Sequence, residues 1–387
     1  MKKKIGVVLY SNPDYYPPTI NAIHLLSEKY DVILVGRNQE PPNWKYPSNV
    51  EVHRLGHYSS VREREKDSIY SKLLEYINFL RKNRNKLKKV SLIYVYDPFS
   101  FVAICLCEKL NSKKIPIVYH HHETSEIIFS LTTLSGWIQR LERQWICRAN
   151  IIVFPELERS NLFKTLIDAE IFTEIVPNFP LKSYFNFDRD WETLIKQRWE
   201  NIILFYRGTI SNTTSMKEIV ASLSLISHKI RVNFVGFLSE HNAAELTNCI
   251  SQNGQDSIFT YLGVLPYEEL QPHTLNSSLG FALYKNISFD RVACATACNK
   301  IYEYAACGLP IIVSKFPTYQ NYLGEESWVR FADPEDPKSI ALAIEDILSD
   351  FDIYRKMCLS ARKAFEEKFN YETVFEPIMD RIKELVD

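Results

Sequence analysis

Residues 299–314, read as NKIYEYAACGLPIIVS, place a lone carboxylate, Glu303, in a short segment that leads directly into an apolar run. Apolar and small residues recur at helical spacing in the first half of the stretch. Gly308 suits the left-handed residue that ends a helix, and Pro310 prevents the helix from continuing. The apolar residues 311–313 then predict a strand. The stretch therefore predicts a helix–glycine–strand unit that holds a carboxylate near the edge of a sheet.

Short apolar runs alternate with helical stretches along the chain, which is the pattern of parallel sheets covered by helices on both faces. The first set of predicted strands comprises Ile5–Tyr10, Asp31–Val35, Val50–Arg54, Leu92–Tyr96, Pro116–Tyr119, Ile151–Phe154 and Thr173–Val176. The second set comprises Ile202–Tyr206, Arg231–Val235, Phe259–Leu262, Leu279–Leu283, Pro310–Val313 and Trp328–Phe331. We therefore expect an α/β protein with two parallel sheets.

Residues 177–191, PNFPLKSYFNFDRDW, have two prolines and no periodicity, which predicts a linker between the two sets of strands. A chain of 387 residues is also long for a single core. We expect one domain at residues 1–180, a second at 181–370, and an amphipathic helix at 371–387. Ligands of open parallel sheets bind at the carboxyl ends of the strands, so a cleft between the domains is the expected ligand site.

Composition excludes several classes of protein. Hydrophobic residues at 46%, charged residues at 24% and a formal charge of -1 fit a globular protein with no general attraction to nucleic acid. No run approaches the roughly 18 apolar residues that a membrane span needs, and the apolar run at 5–10 is shorter than the core of a signal peptide. The eight cysteines lack the density of a secreted disulfide framework, so we expect reduced thiols and a cytoplasmic protein.

The order and spacing of several motifs resemble the retaining GT-B glycosyltransferases of family four, also called glycosyl transferases group 1. The motifs are YVYDPFS and IPIVYHHHETSE in the first half, VPNFP at the domain crossing, and IILFYRGTI, NFVGFL, GVLPYEEL, GFALY and the Glu303 stretch in the second. The resemblance implies two Rossmann-like doubly wound domains, an interdomain cleft, and a last helix that crosses back to the first domain. In this family such a glutamate binds the nucleotide ribose, whereas a helical glutamate is otherwise most often surface charge.

The resemblance also implies a reaction, in which a sugar passes from a nucleotide-sugar donor to a glycan or lipid-linked saccharide, with retention of configuration and without a metal. A UDP-sugar is the preferred donor by family frequency. Asp97, His122 and Glu123 match residues that face the cleft, with His122 expected at the donor sugar or leaving phosphate and Glu123 orienting the loop. His120, His121 and His122 alternate sides if they continue a strand, so they are not expected to converge on zinc.

The donor diphosphate is expected beside Gly208, because glycine permits close approach and the free amides at a helix start stabilise phosphate. The family has a basic residue directly after this glycine and another about six positions later. Thr209 and Ser215 stand there in this chain. Arg207 and Lys217 are the displaced candidates, and the forked guanidinium of Arg207 fits either a phosphate contact or an ion pair.

A second departure is Ala295, which stands eight residues before Glu303 where the family often has another glutamate that touches the donor sugar. Asn299 and Asp290 are candidates to replace it, and Lys300 fits either a phosphate or sugar contact or a solvated helix start. The residues expected to hold the donor are thus Glu303, Arg207, Gly208, Thr209, Lys217, Lys300, Asn299 and Tyr284.

Two charged motifs lie elsewhere. Asp188 and Asp190 have the spacing of metal-dependent transferases, but they precede a predicted helix and are interpreted as its N-cap. The run at 81–90 follows an amphipathic stretch, and it either contacts anionic lipid at the inner face of a membrane or forms a solvated helix end. Its basic residues are Arg81, Lys82, Arg84, Lys86, Lys88 and Lys89.

Two other classes of protein remain open. A nucleotide-sugar epimerase uses a similar two-domain frame, and it would need paired acid and base groups in the cleft. A noncatalytic nucleotide-sugar-binding protein is suggested by Ala295 and Thr209. The acceptor of a transferase is expected on the first domain, beside residues 11–18 and Asp97.

Overall fold

The computed structural model describes residues 2–39, 44–59, 68–109, 114–122, 124, 129–167 and 169–387. Its internal contacts divide the chain into two compact units. Unit 1 comprises Met1–Asn178 together with Glu372–Asp387, and unit 2 comprises Phe179–Tyr371. Each unit contains one parallel sheet.

The sheet of unit 1 has seven strands in the order β3-β2-β1-β4-β5-β6-β7. The strands are β1 (Lys4–Leu9), β2 (Asp31–Gln39), β3 (Val50–Ser59), β4 (Leu92–Tyr96), β5 (Ile117–His120), β6 (Ile151–Phe154) and β7 (Thr173–Ile175). The chain starts at the centre, winds outward to β3, and then returns to place β4 on the other side of β1. Because the winding reverses there, the carboxyl ends of β1 and β4 form the topological switch point, where open α/β sheets bind ligands.

The sheet of unit 2 has six strands in the order β10-β9-β8-β11-β12-β13. The strands are β8 (Ile203–Arg207), β9 (Arg231–Val235), β10 (Phe259–Tyr261), β11 (Leu279–Ala282), β12 (Ile311–Ser314) and β13 (Val329–Ala332). The winding reverses between β8 and β11, so the switch point of this sheet lies at the carboxyl ends of these two strands.

The predicted α/β fold with two doubly wound parallel sheets is confirmed, since all thirteen predicted strands form. Apart from the ends of β2 and β3, every strand end lies within one residue of the prediction. β2 and β3 are longer than expected because they continue to pair as far as Gln39 and Ser59, across a register irregularity. The Gln39 side chain also accepts a hydrogen bond of 3.1 Å from the Asn12 amide, which ties this extension to the loop after β1.

Helices cover the sheets. They are α1 (Pro17–Lys29), α2 (Ile69–Lys86), α3 (Asp97–Lys109), α4 (Leu134–Trp145), α5 (Leu157–Thr165), α6 (Trp191–Glu200), α7 (Met216–Leu223), α8 (Glu240–Gln252), α9 (Tyr267–Leu275), α10 (Phe289–Val292), α11 (Asn299–Ala306), α12 (Pro317–Leu323), α13 (Pro337–Ile347), α14 (Phe351–Glu367) and α15 (Tyr371–Val386). The predicted final helix is confirmed as α15, most of which belongs to unit 1.

The N-cap interpretation of the Asp188–Asp190 motif is confirmed at Asp190, which caps α6 and accepts a hydrogen bond from the Glu192 amide. No helix of the described chain is long and apolar enough to span a membrane.

The predicted helix–glycine–strand unit is confirmed at α11 and β12. Gly308 has φ of +62° and donates its amide to the Ala305 carbonyl, while the Leu309 amide donates to the Tyr304 carbonyl. These two bonds form a Schellman motif, which satisfies carbonyls at the end of the helix. The motif ends the helix directly before β12, and α11 contacts both β11 and β12.

Candidate functional site

The switch point of unit 2 brings together residues that are far apart in the sequence. Arg207 is the last residue of β8, and Tyr284 follows shortly after β11. The helix α11 carries Lys300 and Glu303 to the same place, because each contacts a residue at the end of β8. The structure therefore groups four of the predicted donor residues.

Glu303 is held by two contacts. Its side chain is only 2% exposed, Oε1 accepts a 2.8 Å hydrogen bond from the Tyr267 hydroxyl, and Oε2 lies 2.6 Å from Nη1 of Arg207. Burying a carboxylate is costly unless it is paired, and Arg207 supplies the opposite charge. Since a carboxylate has about four acceptor positions, roughly two remain for other donors. Oε2 is itself buried, so a ligand reaches it only if a covering side chain moves.

The pair also affects its neighbours. Burial lowers the pKa of Arg207, but the Glu303 carboxylate, with Tyr267 and Tyr304, outweighs it and raises the pKa overall. Burial, and then Glu303, raises the pKa of Tyr267, so this phenol stays protonated as a donor. The Tyr304 hydroxyl accepts a 3.2 Å hydrogen bond from the Arg207 amide. Arg207 therefore forms the ion pair that the sequence left open as one of its two roles.

Gly208 directly follows β8 and lies beside Lys300. It has φ of +122°, and a Cβ built on it would lie 3.0 Å from Nζ of Lys300. Gly236, after β9, has φ of +131°, and its Cβ would lie 1.9 Å from the Gly208 carbonyl oxygen. Both positions favour glycine because their positive φ is strained for other residues, and at Gly236 the Gly208 backbone also leaves no room for a Cβ. The two loops thus keep an open, side-chain-free edge next to a lysine.

Lys300 presents its charge beside Gly208. Its Nζ lies 4.4 Å from the ring centroid of Tyr206 and 5.0 Å from that of Tyr284, and it donates a 3.3 Å hydrogen bond to the Tyr206 hydroxyl. Cation–π contacts hold an ammonium without neutralising it. No carboxylate of the described chain forms an ion pair with Lys300, so its charge is available for an anion.

Of the two other predicted donor residues, Lys217 lies apart from this cluster and Thr209 joins it through its backbone. Lys217, on α7, pairs with Glu245 on α8, with Nζ 3.2 Å from Oε1. Thr209 uses its carbonyl oxygen to accept a 2.6 Å hydrogen bond from the Tyr206 hydroxyl. Lys217, a displaced candidate for the family's second basic position, is therefore neutralised by Glu245, whereas Lys300 lies beside Gly208.

The first turn of α11 carries the remaining candidate, Asn299. Its Oδ1 is buried and has no hydrogen-bond partner among the described residues. Ala295 is fully buried, and its carbonyl oxygen accepts a 2.8 Å hydrogen bond from the Tyr302 hydroxyl. Ala295, at the position where the resembled family often has its second glutamate, therefore offers only its backbone carbonyl oxygen for hydrogen bonding. The side chain of Asp290 lies outside the described part of the structure.

The switch point of unit 1 holds Asp97 and His122. Asp97 directly follows β4 and has φ of +62°, a conformation that costs energy for a residue with a Cβ. Its Oδ1 accepts a 3.0 Å hydrogen bond from the His122 amide, and its Oδ2 lies 3.7 Å from Nδ1 of His122. The His122 ring stacks on Tyr96, and Arg159 donates a 2.7 Å hydrogen bond to the His122 carbonyl. Strain compensated in this way is typical of functional sites. Glu123 lies outside the described residues.

The histidines alternate as predicted. His120 and His122 stack on each other, with ring centroids 4.9 Å apart, whereas His121 packs on Phe154 and Phe163. Burial, and then the charges of His122 and His121, lowers the pKa of His120 well below its usual value. Among the described residues, no group of three His, Cys, Asp or Glu side chains is arranged to hold a metal ion.

Sequence reasoning missed three tyrosines that position the charged groups, namely Tyr206, Tyr267 and Tyr304. Tyr206 and Tyr267 stand inside the quoted motifs IILFYRGTI and GVLPYEEL, directly before Arg207 and directly after Pro266. A polar aromatic residue at a strand end or helix start was the available signal. It did not indicate which charged residue each hydroxyl would contact.

We expect His120 to make stability depend on pH. Its folded-state pKa is well below the ordinary 6.5, so the unfolded chain binds the proton first as pH falls. The free energy of unfolding should therefore decrease below about pH 6.5, by up to about 1.4 kcal/mol per pH unit from this residue. Between pH 5 and 8, the free energy of unfolding measured with urea should change less with pH for His120→Phe than for the wild type. His241→Phe, at a side chain 81% exposed, is the control. If the free energy of unfolding changes equally with pH in the wild type and in His120→Phe, His120 is not the source of the pH dependence.

Comparisons with known proteins concern the fold. No protein-family model and no curated protein matches the sequence. Among solved structures, sucrose-phosphate synthase from Thermosynechococcus elongatus is similar with a TM-score of 0.76 and 14% identity, over 99% of this chain and 99% of that chain. HepE from Anabaena in complex with UDP-glucose has a TM-score of 0.70 and 14% identity, over 98% and 99% of the two chains. A glycosyltransferase from Rickettsia africae has a TM-score of 0.70 and 13% identity, over 100% and 99%. The chain therefore has the two-domain GT-B fold.

Proposed function

We propose that this protein is a glycosyltransferase that moves a sugar from a nucleotide-sugar donor, preferably a UDP-sugar, to a glycan or lipid-linked saccharide with retention of configuration. The observation that carries the proposal is the buried Glu303 carboxylate, held by Arg207 and Tyr267 at the switch point of unit 2. The fold similarity to HepE, whose solved structures contain UDP and UDP-glucose, supports the choice of donor.

Each group of the unit 2 cluster has a proposed role. The remaining acceptor positions of Glu303 take the vicinal ribose hydroxyls, which are hydrogen-bond donors. Gly208 admits the diphosphate, and the unpaired charge of Lys300 binds it, so that no metal is required. Arg207 orients the Glu303 carboxylate through their ion pair. Asn299, Tyr284 and Thr209 line the same place, and Lys217 is a less direct candidate because Glu245 neutralises it.

We propose that unit 1 provides the groups for the acceptor and for the transferred sugar. Asp97 and His122 lie at the switch point of its own sheet, and Asp97 orients His122 through the backbone amide. The segment after β1, residues 11–18, borders that point and is the proposed acceptor side. Retention then proceeds by attack on the same face, assisted by the leaving phosphate. Glu123 is proposed as a supporting residue by resemblance alone.

The donor proposal predicts separate effects on base-and-ribose binding and on phosphate binding. Uridine, UDP, UDP-glucose, GDP and ADP should be titrated calorimetrically and in thermal-shift assays, where a saturating ligand stabilises the fold by mass action. We expect UDP to bind tightest among the free nucleotides. Glu303→Ala should weaken uridine and UDP alike, roughly tenfold or more, because hydrogen bonds to a charged carboxylate are lost.

Two lysine variants show which lysine binds the phosphate. Lys300→Met should weaken UDP roughly tenfold and leave uridine unchanged, because only the phosphate contact is lost. Lys217→Met should change neither, and Glu192→Ala, which removes an exposed ion pair with Arg355 in the same unit, is the control. If no nucleotide binds the wild type, the donor site is wrong. If Lys217→Met selectively weakens UDP, the phosphate cation has been misassigned.

Product analysis separates the rival functions. The nucleotide sugar that binds should be incubated with and without lipid-linked saccharides, and the products should be identified by NMR. We expect a glycan extended by one sugar with the anomeric configuration of the donor. An epimerised nucleotide sugar would support the epimerase instead, and binding without turnover would support a noncatalytic protein.

We also propose that α2 contacts an anionic membrane surface. Its buried face includes Tyr76 and Phe79, yet an exposed apolar stripe runs along another face at helical spacing. The stripe consists of Tyr70, Leu73, Leu74 and Ile77, of which Tyr70 is 81% and Leu74 is 68% exposed. Arg81 continues this stripe by one helical turn, and the other exposed basic residues, Lys82, Lys86, Lys88 and Lys89, lie in the last turns of α2 and just after it. The side chain of Arg84 lies outside the described part. Apolar insertion beside basic charge is typical of helices that lie on membranes.

Vesicle sedimentation tests this surface. We expect binding to vesicles with anionic phosphatidylglycerol, little binding to neutral phosphatidylcholine, and loss of binding at high salt because the headgroup attraction is screened. Leu73→Ser with Leu74→Ser, and separately Lys86→Glu with Lys88→Glu, should each reduce binding. Lys356→Glu in unit 2 is the charge control. Equal binding by wild type and both double variants would rule the surface out.

A further inference from the structure

Unit 1 contains a cavity that the proposed function does not use. Its volume is about 210 Å³, and it lies between α4, α5 and the carboxyl end of β5. The walls are mostly apolar and are formed by Phe99, Phe129, Ile138, Phe163 and Leu166. A dry apolar cavity of about 150 Å³ already binds a benzene-sized molecule. This cavity is therefore large enough for a six-membered ring with a substituent.

One end of the cavity carries a buried carboxylate with an open acceptor. Glu142 is 2% exposed, and both of its contacts go to the same oxygen. The Tyr119 hydroxyl donates to Oε1, and Nε2 of His121 lies 3.1 Å from Oε1. No described residue donates a hydrogen bond to Oε2. Because both contacts use Oε1, Oε2 keeps its acceptor positions for a bound molecule.

The same wall carries a buried donor that a ligand reaches only if a covering side chain moves. Arg143 lines the cavity, and its Nε is buried without a hydrogen-bond partner among the described residues. A carboxylate acceptor and a guanidinium donor therefore stand on adjacent residues of α4. An ammonium ligand would be attracted by Glu142 and repelled by Arg143, and the reverse holds for a carboxylate ligand. A neutral hydroxyl satisfies both, because its hydrogen donates and its oxygen accepts.

We propose that this cavity binds a ring-sized apolar molecule, or part of one, that carries a hydroxyl group. The ring fills the apolar space, the hydroxyl hydrogen donates to Oε2 of Glu142, and the hydroxyl oxygen accepts from Nε of Arg143. The site is distinct from that of His122, because His121 and His122 lie on opposite faces of the chain that leaves β5. It consists of unit 1 residues only, so it does not rest on the proposed donor site.

A probe panel tests the site on the full chain without any nucleotide. Phenol, toluene, benzylamine and benzoate share one ring size and differ in the polar group. We expect saturation-transfer NMR to show phenol binding tightest, with an advantage of roughly tenfold over toluene from its hydrogen bonds to charged groups. Equal binding of phenol and toluene would overturn the polar anchor, and no binding of any probe at millimolar concentration would overturn the site.

Two variants locate the binding. Ser135→Leu fills the cavity from α4 and should weaken phenol at least tenfold, whereas Gln144→Leu, at an exposed position on the same helix, should not. Glu142→Gln keeps an oxygen for Tyr119 and His121 but presents an amide N–H to the cavity. It should weaken phenol roughly tenfold and make benzoate the preferred probe. If Glu142→Gln fails to fold, Ser135→Leu still shows whether phenol binds in this cavity. Unchanged phenol binding by Ser135→Leu would place the probe elsewhere.

Discussion

The buried ion pair between Arg207 and Glu303 determines the arrangement of unit 2 around its switch point. A carboxylate that is 2% exposed is tolerated only because Arg207 and Tyr267 contact it. The three residues come from the end of β8, the start of α9 and the middle of α11. The three residues therefore hold α11 and the start of α9 against the end of β8. Removal of either Arg207 or Glu303 should lower the free energy of unfolding by about 3–5 kcal/mol.

This constraint explains why the cluster suits a ligand with a diol and a phosphate. Arg207 is committed to Glu303, so its charge is not the free one. Lys300, held by the rings of Tyr206 and Tyr284, is the cation that no described carboxylate neutralises. Gly208 and Gly236 keep side chains away from the same edge. Acceptor positions for hydroxyls and an open charge for phosphate thus stand side by side, in the fold shared with HepE and sucrose-phosphate synthase.

Local patterns predicted the elements, whereas contacts between distant residues could not be predicted. The thirteen strands, the end of α11 at Gly308 and the N-cap at Asp190 follow from periodicity and from residues within one turn. The partner of Glu303 lies 96 positions away, and nothing local distinguishes an arginine that pairs from one that binds phosphate. Lys217 was a candidate displaced by two residues from the family's basic position at Ser215, and the sequence did not show that α8 presents Glu245 to it. The cavity beside His121 depends on how α4 and α5 pack, which periodicity does not specify.

The most direct test of the central claim, that Glu303 is held ready for a nucleotide ribose, is a crystal structure of the protein with bound UDP. We expect both ribose hydroxyls within hydrogen-bond distance of the Glu303 carboxylate and the β-phosphate against Gly208 and Lys300. Arg207 or Tyr267 should be displaced to open the buried oxygen. UDP bound away from Glu303, with the Arg207 pair intact, would contradict the account and leave the pair a structural feature of the fold.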